Sequence, residues 1–165
     1  MGFYNDKIVP RLVTCACGTK PILKQREKVV PQAQGNVLEI GMGAGHNLPY
    51  YDPQRVQSIV GIDPCQTSWR LAASRAAQVG VPLDFVEGSA EKMPLPAAQF
   101  DTVLMTYSLC TIPDAHAALA EIGRVLKPGG SLVFCEHGQA PDPGVASWQE
   151  RINPLWRRLL GGCNI

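Results

Sequence analysis

The stretch VLEIGMGAGHNL, residues 37–48, decides which fold this 165-residue chain adopts. It opens with mostly apolar residues, as in a buried strand, and runs into glycines at positions 41, 43 and 45. A glycine-rich turn after a buried strand lets a nucleotide-like ligand approach the backbone, because glycine has no side chain and tolerates positive φ. The stretch therefore predicts a buried strand followed by a ligand-binding turn.

Outside this stretch, apolar strands alternate with helices. Two short helices, residues 5–17 and 20–30, are predicted before the first strand. Four further strands are predicted in the segments VQSIVGIDP, PLDFVEGSA, QFDTVLMTYSL and SLVFCEHG. Strands that are apolar on both faces and separated by helices form a parallel sheet covered on both sides. The predicted fold class is a Rossmann-like, doubly wound α/β sheet, with its ligand at the carboxyl ends of the strands.

Two of the predicted helices carry apolar stripes. The segment DAHAALAEIGRVLKPGG is predicted as one helix, capped by Asp114 and stopped by the Pro-Gly-Gly at residues 128–130. Its expected buried stripe is Leu119, Ile122 and Leu126. The segment ASWQERINPLWRRLL is predicted as an amphipathic helix, bent at Pro154, that docks on its own domain. Its stripe is Trp148, Ile152, Trp156 and Leu159 or Leu160, and contact with a membrane surface is the less favoured alternative.

The chain is long enough for one domain with a real core. Within it, residues 1–34 are predicted as a helical lid segment, 35–140 as the α/β core and 141–165 as the C-terminal amphipathic helix. A net charge of +1 gives no broad basic surface for nucleic acid. With no secretory signal or bilayer-length apolar run, the predicted location is cytoplasmic and the six cysteines are reduced thiols. No metal site is predicted.

The glycine turn departs from the dinucleotide fingerprint G-x-G-x-x-G. His46 stands where the third glycine would allow close packing of helix on strand. Glu39, inside the strand, would repel a pyrophosphate but suits S-adenosylmethionine, which carries an ammonium, a sulfonium and no phosphate. Asp63, at the end of the second strand, can accept both hydroxyls of a ribose, which either cofactor provides. These residues argue against a nicotinamide-dependent oxidoreductase.

Four segments, in order, resemble the successive motifs of class I S-adenosylmethionine-dependent methyltransferases, small-molecule branch, of the methyltransferase type 11 kind. They are VLEIGMGAG, VGIDP, VEGSAEKMPLPAAQFDTVLMTYSL and VLKPGGSLVFCEH, and they span about residues 35–138. The segments GHNLPYYDP, LCTIPD, EHG and WQERINPLWRRLLGGCN also resemble a methyltransferase-like subfamily that includes thiol methyltransferases and proteins labelled phospholipid methyltransferases. The resemblance implies the class I methyltransferase fold.

The resemblance also implies where S-adenosylmethionine binds. Glu39 and the turn from Gly41 to Gly45 would hold the methionine end, with Thr106 facing it from the other side. Asp63 would take the ribose hydroxyls. The other residues implied to contact the cofactor, in the turn or along the adenine, are Gly43, Asn47, Pro64, Cys65, Ser89, Ala90 and Glu91. The product would be S-adenosylhomocysteine.

Methyl transfer from a sulfonium is an in-line displacement with an excellent leaving group, so positioning supplies most of the acceleration. A base is needed only if the acceptor must lose a proton, and His137, after the fifth strand, is the candidate. The exit of the fourth strand lacks the Asn/Asp-Pro-Pro-aromatic run of enzymes that methylate nucleobase amines. The expected acceptor is therefore a small molecule bearing a thiol, amine, hydroxyl or lipid headgroup. The alternative is a non-catalytic module that binds S-adenosylmethionine.

The sheet of a class I methyltransferase normally has seven strands, whereas five are found in this sequence. An uncovered fifth strand would be a sticky edge. We therefore expect either that the chain is truncated or that a second copy covers this edge in a homodimer.

Overall fold

The computed structural model describes residues 8–159 and 162–164. Two helices come first, α1 (Val9–Cys17) and α2 (Lys20–Val29), and the α/β core follows them. Its strands are β1 (Gly35–Ile40), β2 (Val56–Asp63), β3 (Leu83–Glu87), β4 (Phe100–Thr106) and β5 (Leu126–Cys135). The remaining helices are α3 (Gln66–Ala76), α4 (Ala115–Val125) and α5 (Pro143–Leu159), with short 3-10 turns at Val30–Gln32, Leu48–Tyr50 and Leu109–Thr111.

The five strands form one parallel sheet in the order β3-β2-β1-β4-β5. The chain builds outward from β1 to β3 and then returns to the other side of β1 for β4, so the strand order reverses at the β1–β4 boundary. In sheets of this kind, the crevice at such a reversal is where ligands bind. This topology confirms the predicted doubly wound α/β fold.

The central strand β1 has a buried core on both faces. Leu38 and Ile40 point into a cluster covered by α4. Val37, on the opposite face, packs in a second cluster with Leu48 and Tyr51. Since side chains alternate along a strand, Glu39 shares the face of Val37. The Glu39 carboxylate therefore lies on the face of the sheet that is covered by Leu48 and Tyr51, which follow the glycine turn.

The helix α4 differs from its predicted extent. Asp114 caps it as expected, accepting a hydrogen bond from the Ala117 N–H at 3.0 Å. The helix nevertheless ends at Val125, before the Pro-Gly-Gly sequence, because Leu126 is already extended and pairs with Phe100 of β4. The predicted stripe is wrong in part, since Leu119 is 43% exposed. The buried residues of α4 are Ala118, Ile122 and Val125.

The helix α5 includes Pro154 and docks less completely than its apolar stripe predicts. Ile152 and Trp156 are half-buried, whereas Trp148 is 65% exposed and Leu159 is exposed as well. Leu160 lies outside the described residues, as do residues 5–7 of the first predicted helix. In the part of the chain that the structure describes, no helix is both long and apolar enough to cross a bilayer.

The outer strand β5 pairs with β4 alone within the described residues. Phe134 on this strand is 61% exposed. The homodimer expected to cover this edge stays a prediction.

Candidate functional site

A cavity of about 800 Å³ opens at the carboxyl ends of β1, β2 and β4. This volume is in the range of sites that enclose a cofactor-sized ligand. Nine residues predicted to bind the cofactor line it: Gly41, Gly43, Asp63, Pro64, Cys65, Ser89, Ala90, Glu91 and Thr106. Four other predicted site residues are not part of its lining: Glu39, Gly45, Asn47 and His137.

The glycine turn is built so that only glycine fits at its first position. Gly41 has a φ of +68°, and a Cβ added there would collide with the hydroxyl group of Ser108. The Ser108 hydroxyl donates to the Ile40 carbonyl at 3.0 Å and to the Thr106 carbonyl at 3.1 Å. The turn therefore lies directly against the end of β4, and its backbone faces the cavity without a side chain in between.

Asp63 holds the other side of the glycine turn. Its Oδ2 accepts the Gly43 N–H at 2.9 Å, and its Oδ1 accepts the Cys65 N–H at 2.7 Å. Burial raises the pKa of this carboxyl, while the two backbone hydrogen bonds act in the opposite direction. Because each carboxylate oxygen has two lone pairs, both oxygens can still accept a hydroxyl from a ligand.

The turn after β3 is fixed to the start of α4. Glu91 accepts the Ser89 hydroxyl at 2.6 Å through one oxygen and the Asp114 N–H at 2.9 Å through the other. The Glu91 N–H in turn donates to the Ser89 hydroxyl at 3.2 Å. Ala90, between them, is buried, so this wall of the cavity is apolar at its centre and rigid at its ends.

His46, which stands where the dinucleotide fingerprint has its third glycine, links the turn to α1. Its Nε2 lies 3.0 Å from the Thr14 carbonyl, and its ring lines the cavity. Burial, together with the charges of Arg26 and Arg75, lowers the pKa of His46 to about 4. The imidazole is therefore neutral near pH 7 and can donate from Nε2 to Thr14.

Glu39 lies beneath the cavity rather than in its wall. Its Oε1 accepts the Asn47 side-chain amide at 3.0 Å, and its Oε2 accepts the Tyr51 hydroxyl at 2.7 Å. Asn47 also donates to the Thr106 hydroxyl at 2.9 Å. Both carboxylate oxygens are thus engaged by protein groups, and Glu39 reaches a ligand only through Asn47 and Thr106.

We predict a pH-dependent contribution of Glu39 to stability. Burial raises its pKa from 4.5 to about 7, against the hydrogen bonds from Tyr51 and Asn47. The native state therefore holds this proton over a window in which the unfolded chain has released it, so stability falls as pH rises. Relative to a Glu39→Gln variant, the free energy of unfolding of the wild type should fall by roughly 3 kcal/mol between about pH 4 and 8.

Urea denaturation at several pH values measures this difference. Glu27→Gln, at an exposed position of α2, is the matched control, and its free energy of unfolding should depend on pH in the same way as that of the wild type. If the free energy of unfolding of Glu39→Gln also follows the pH dependence of the wild type, Glu39 does not hold a proton in the native state over this pH range. Comparing variants is necessary because His46, with its lowered pKa, acts in the opposite direction below about pH 6.

Arg26 of α2 is a functional candidate that the sequence argument missed. It is 5% exposed and lines the cavity, and its Nη1 donates to Asn47 Oδ1 at 2.7 Å and to Thr106 Oγ1 at 2.6 Å. Its Nε has no hydrogen-bond partner, and among the described residues no carboxylate forms an ion pair with it within 4.0 Å. A buried cation without an anion is costly. The guanidinium therefore fits an anionic group of a ligand.

One sequence signal does mark Arg26. It follows Leu23 by three residues and precedes Val30 by four. Residues at these spacings share one face of a helix, so Arg26 interrupts an apolar face. A charged residue at such a position needs a partner when it is buried.

Tyr107 separates His137 from the cavity. Tyr107 lines the cavity with the guanidinium of Arg26 5.1 Å from its ring, and it has a φ of +54°, a conformation that costs energy outside glycine. The His137 ring packs behind it at 4.8 Å and lines a second cavity of about 340 Å³ with Glu136 and Cys110. Burial and the charge of Arg26 lower the pKa of His137. The role of His137 as a base stays a prediction.

The comparisons with known proteins agree with this geometry. Residues 38–134 match a family model described as a methyltransferase domain. The uncharacterized methyltransferase YcgJ of Bacillus subtilis is 33% identical over 125 residues, covering 75% of this chain and 49% of YcgJ. The crystal structure of YcgJ superposes with a TM-score of 0.66, covering 82% of this chain and 57% of that chain.

Two relatives carry the names of specific activities. Human thiol S-methyltransferase TMT1A is 31% identical over 140 residues, covering 82% of this chain and 56% of the relative. A phosphatidylethanolamine N-methyltransferase of Cereibacter sphaeroides is 30% identical over 129 residues, covering 77% and 62%. This chain thus spans about half to three-fifths of the length of these relatives.

These matches confirm the resemblance to small-molecule class I methyltransferases and the fold that it implies. They also confirm the expected cofactor, because proteins of this family use S-adenosylmethionine. The cavity fits that cofactor, since the Arg26 guanidinium, which has no ion-pair partner among the described residues, suits its carboxylate and Asp63 suits its ribose.

Proposed function

Since the chain belongs to the methyltransferase domain family, we propose that it transfers a methyl group from S-adenosylmethionine to a small-molecule acceptor, preferably a thiol. The observation that carries the acceptor class is the distribution of charge around the cavity. The acidic side chains of its described lining are Asp63 and Glu91, both on the side formed after β2 and β3. The rim instead carries Arg157 and Arg158.

The cofactor would lie along the carboxyl ends of the strands. Its ribose would be held by Asp63, and its adenine by the turn of Ser89, Ala90 and Glu91, which provides an apolar centre between fixed ends. Its methionine end would lie over Gly41, with the carboxylate paired to Arg26. When bound, S-adenosylmethionine supplies an electrophilic methyl group on a sulfonium.

The rim of the cavity favours an apolar acceptor with an ionisable nucleophile. Its apolar residues come from α1 and from the loop after β4: Val9, Pro10, Val13, Ile112 and Pro113. Arg157 and Arg158 add positive charge, which favours a thiolate and disfavours an ammonium. An amine arrives from water as an ammonium, which this field repels, and on this side of the cavity the described lining has no carboxylate to take up its proton. The name of the relative TMT1A supports the same acceptor class.

A thiol acceptor also removes the need for a strong base. Free thiols have a pKa of about 8.5, so nearby arginines supply a useful fraction of thiolate at neutral pH. The work of the chain is then to orient the acceptor and exclude water from the cavity. The position of His137 behind Tyr107 is compatible with this chemistry.

We predict that an apolar thiol is methylated with a kcat/KM at least about 100-fold higher than the amine of the same carbon skeleton. Mass spectrometry of the methylated products measures both rates. Replacing both rim arginines, as Arg157→Gln/Arg158→Gln, should lower the thiol value about tenfold, because each exposed charge contributes modestly. Arg70→Gln, an exposed arginine of α3, is the matched control and should leave it unchanged.

Equal or faster turnover of the amine would contradict the acceptor class and favour the amine and lipid-headgroup alternatives. Binding of S-adenosylmethionine without product from any acceptor would instead identify the chain as a non-catalytic binding module.

A further inference from the structure

We propose that Cys110 and Cys163 form a reversible disulfide that closes the rim of the cavity. Cys110 lies in the turn Leu109–Thr111 after β4, and Cys163 follows α5. The two sulfur atoms are 3.5 Å apart, and both cysteines are free and partly accessible. A disulfide has an S–S distance of about 2.05 Å, so a shift of roughly 1.5 Å joins them.

The backbone already holds the two cysteines together. Asn164 donates to the Cys110 carbonyl twice, from its N–H at 3.2 Å and from its side-chain amide at 2.7 Å. Its side-chain oxygen accepts the Asn153 amide at 3.2 Å, and Gly162 N–H donates to the Arg157 carbonyl at 2.8 Å. The end of α5 is therefore folded back so that Cys163 faces Cys110.

The turn that carries Cys110 is anchored from the other side. Glu136 accepts the Ser108 N–H at 2.9 Å and the Leu109 N–H at 3.1 Å. Because this turn is fixed to Glu136, which follows β5, and the Cys163 segment is fixed to Asn153 of α5, neither cysteine has to be brought from a distance.

The two thiols are suited to different roles. The hydrogen bond from Cys110 lowers the pKa of Cys163 to about 7, against the effect of burial, whereas the pKa of Cys110 is raised by its hydrogen bond to Cys163 and by burial. Cys163 is therefore the attacking thiolate and Cys110 the resolving thiol.

The oxidant is a hydroperoxide. The Cys163 thiolate attacks its O–O bond, forms a sulfenic acid and releases an alkoxide, which takes up the proton that the Cys163 thiol gave off. The Cys110 thiol then attacks the sulfenyl sulfur, and water leaves. In total, two thiols and one hydroperoxide give one disulfide, one alcohol and one water, so the two electrons lost by sulfur reduce the O–O bond.

The disulfide would tie two walls of the cavity together. Thr111, Ile112 and Pro113 line it from the Cys110 side. Arg157, Arg158 and Gly162 line it from the Cys163 side. Exchange of the cofactor would then be slow in the oxidised protein and fast in the reduced protein. This effect rests on the proposed function, whereas the disulfide itself does not.

Thiol titration and peptide mapping of the folded protein, after treatment with a small excess of cumene hydroperoxide, test the proposal. The number of free thiols per chain should fall from six to four, and mapping should show a Cys110–Cys163 linkage that a dithiol reductant reverses. Cys163→Ser and Cys110→Ser should both lose the linkage. Cys15→Ser, at an exposed position of α1, is the matched control and should keep it.

Closure is measured in two ways. Hydrogen exchange should slow on oxidation in residues 107–113, 156–159 and 162–164, a readout that needs no cofactor. Dissociation of S-adenosylmethionine, followed by stopped flow, should slow at least about tenfold in the oxidised wild type and not in Cys163→Ser.

Six thiols remaining after oxidation, or a linkage to Cys17 in place of Cys110, would overturn the proposal. A Cys110–Cys163 linkage that leaves both hydrogen exchange and dissociation unchanged would overturn the closure. Because the linkage and the exchange are scored without cofactor, a protein that fails to bind S-adenosylmethionine contradicts the proposed function alone.

Discussion

Replacing Arg26 with methionine should weaken the binding of S-adenosylmethionine at least about 100-fold and weaken the binding of its decarboxylated analogue much less, by no more than about tenfold. Methionine keeps much of the length of the side chain and removes the charge. The guanidinium is buried, it forms no ion pair among the described residues, and its Nε lacks a partner. A carboxylate in the cavity would provide that missing anion through charge-assisted hydrogen bonds.

The decarboxylated analogue is the essential comparison. Arg26→Met also removes donors from Asn47 and Thr106, so some destabilisation of the glycine turn is expected. That loss affects both ligands equally, whereas the loss of the carboxylate contact affects S-adenosylmethionine alone. Isothermal titration calorimetry measures both affinities, and Arg70→Met, at an exposed position of α3, is the control. Equal losses for both ligands would show that Arg26 acts only on the turn.

Replacing Gly41 with alanine should lower the affinity for S-adenosylmethionine by about 100-fold. The φ of +68° at this position costs roughly 1–2 kcal/mol for a residue with a Cβ. The added Cβ also collides with the Ser108 side chain, so the turn must move away from β4 and lose its position at the ligand. The change in affinity is measured by the same calorimetric titration.

A second variant separates strain from collision. In Gly41→Ala/Ser108→Gly, the atoms that the new Cβ would meet most closely are gone. The double variant should therefore bind S-adenosylmethionine about tenfold more tightly than Gly41→Ala does, while the cost of the backbone conformation stays. Ser108→Gly alone is the control for the lost hydroxyl hydrogen bonds to Ile40 and Thr106. A double variant as weak as Gly41→Ala would contradict the steric account.

The sequence predicted the sheet well because its signals are local and periodic. The five strands are apolar runs bounded by turn residues, and all of them are found in the structure. The end of α4 was not predictable in this way, since the pairing of Leu126 with Phe100 overrides a helical pattern that continues to the Pro-Gly-Gly. The exposure of Trp148 was missed for a related reason, because an amphipathic pattern does not say what covers its apolar face.

The candidate site was predictable where residues follow strands directly. Gly41, Asp63, Ser89 and Thr106 meet at one cavity because the carboxyl ends of parallel strands share an edge. Arg26 was missed because it comes from a helix outside the sheet, and only the packing of that helix brings it to Thr106. The place of Glu39 likewise depends on the partners Asn47 and Tyr51, which the motif does not specify.

Calorimetric titration of the purified protein with S-adenosylmethionine, with NAD as a parallel titration, tests the central claim most directly. The geometry of Gly41, Asp63 and Arg26 predicts that S-adenosylmethionine binds at one site per chain. The expected dissociation constant is in the micromolar range, which corresponds to a binding free energy of about −8 kcal/mol. It predicts no binding of NAD, because the glycine turn does not offer the pyrophosphate the open helix N-terminus that the dinucleotide fingerprint provides. Binding of NAD in place of S-adenosylmethionine, or of neither, would contradict this account of the cavity.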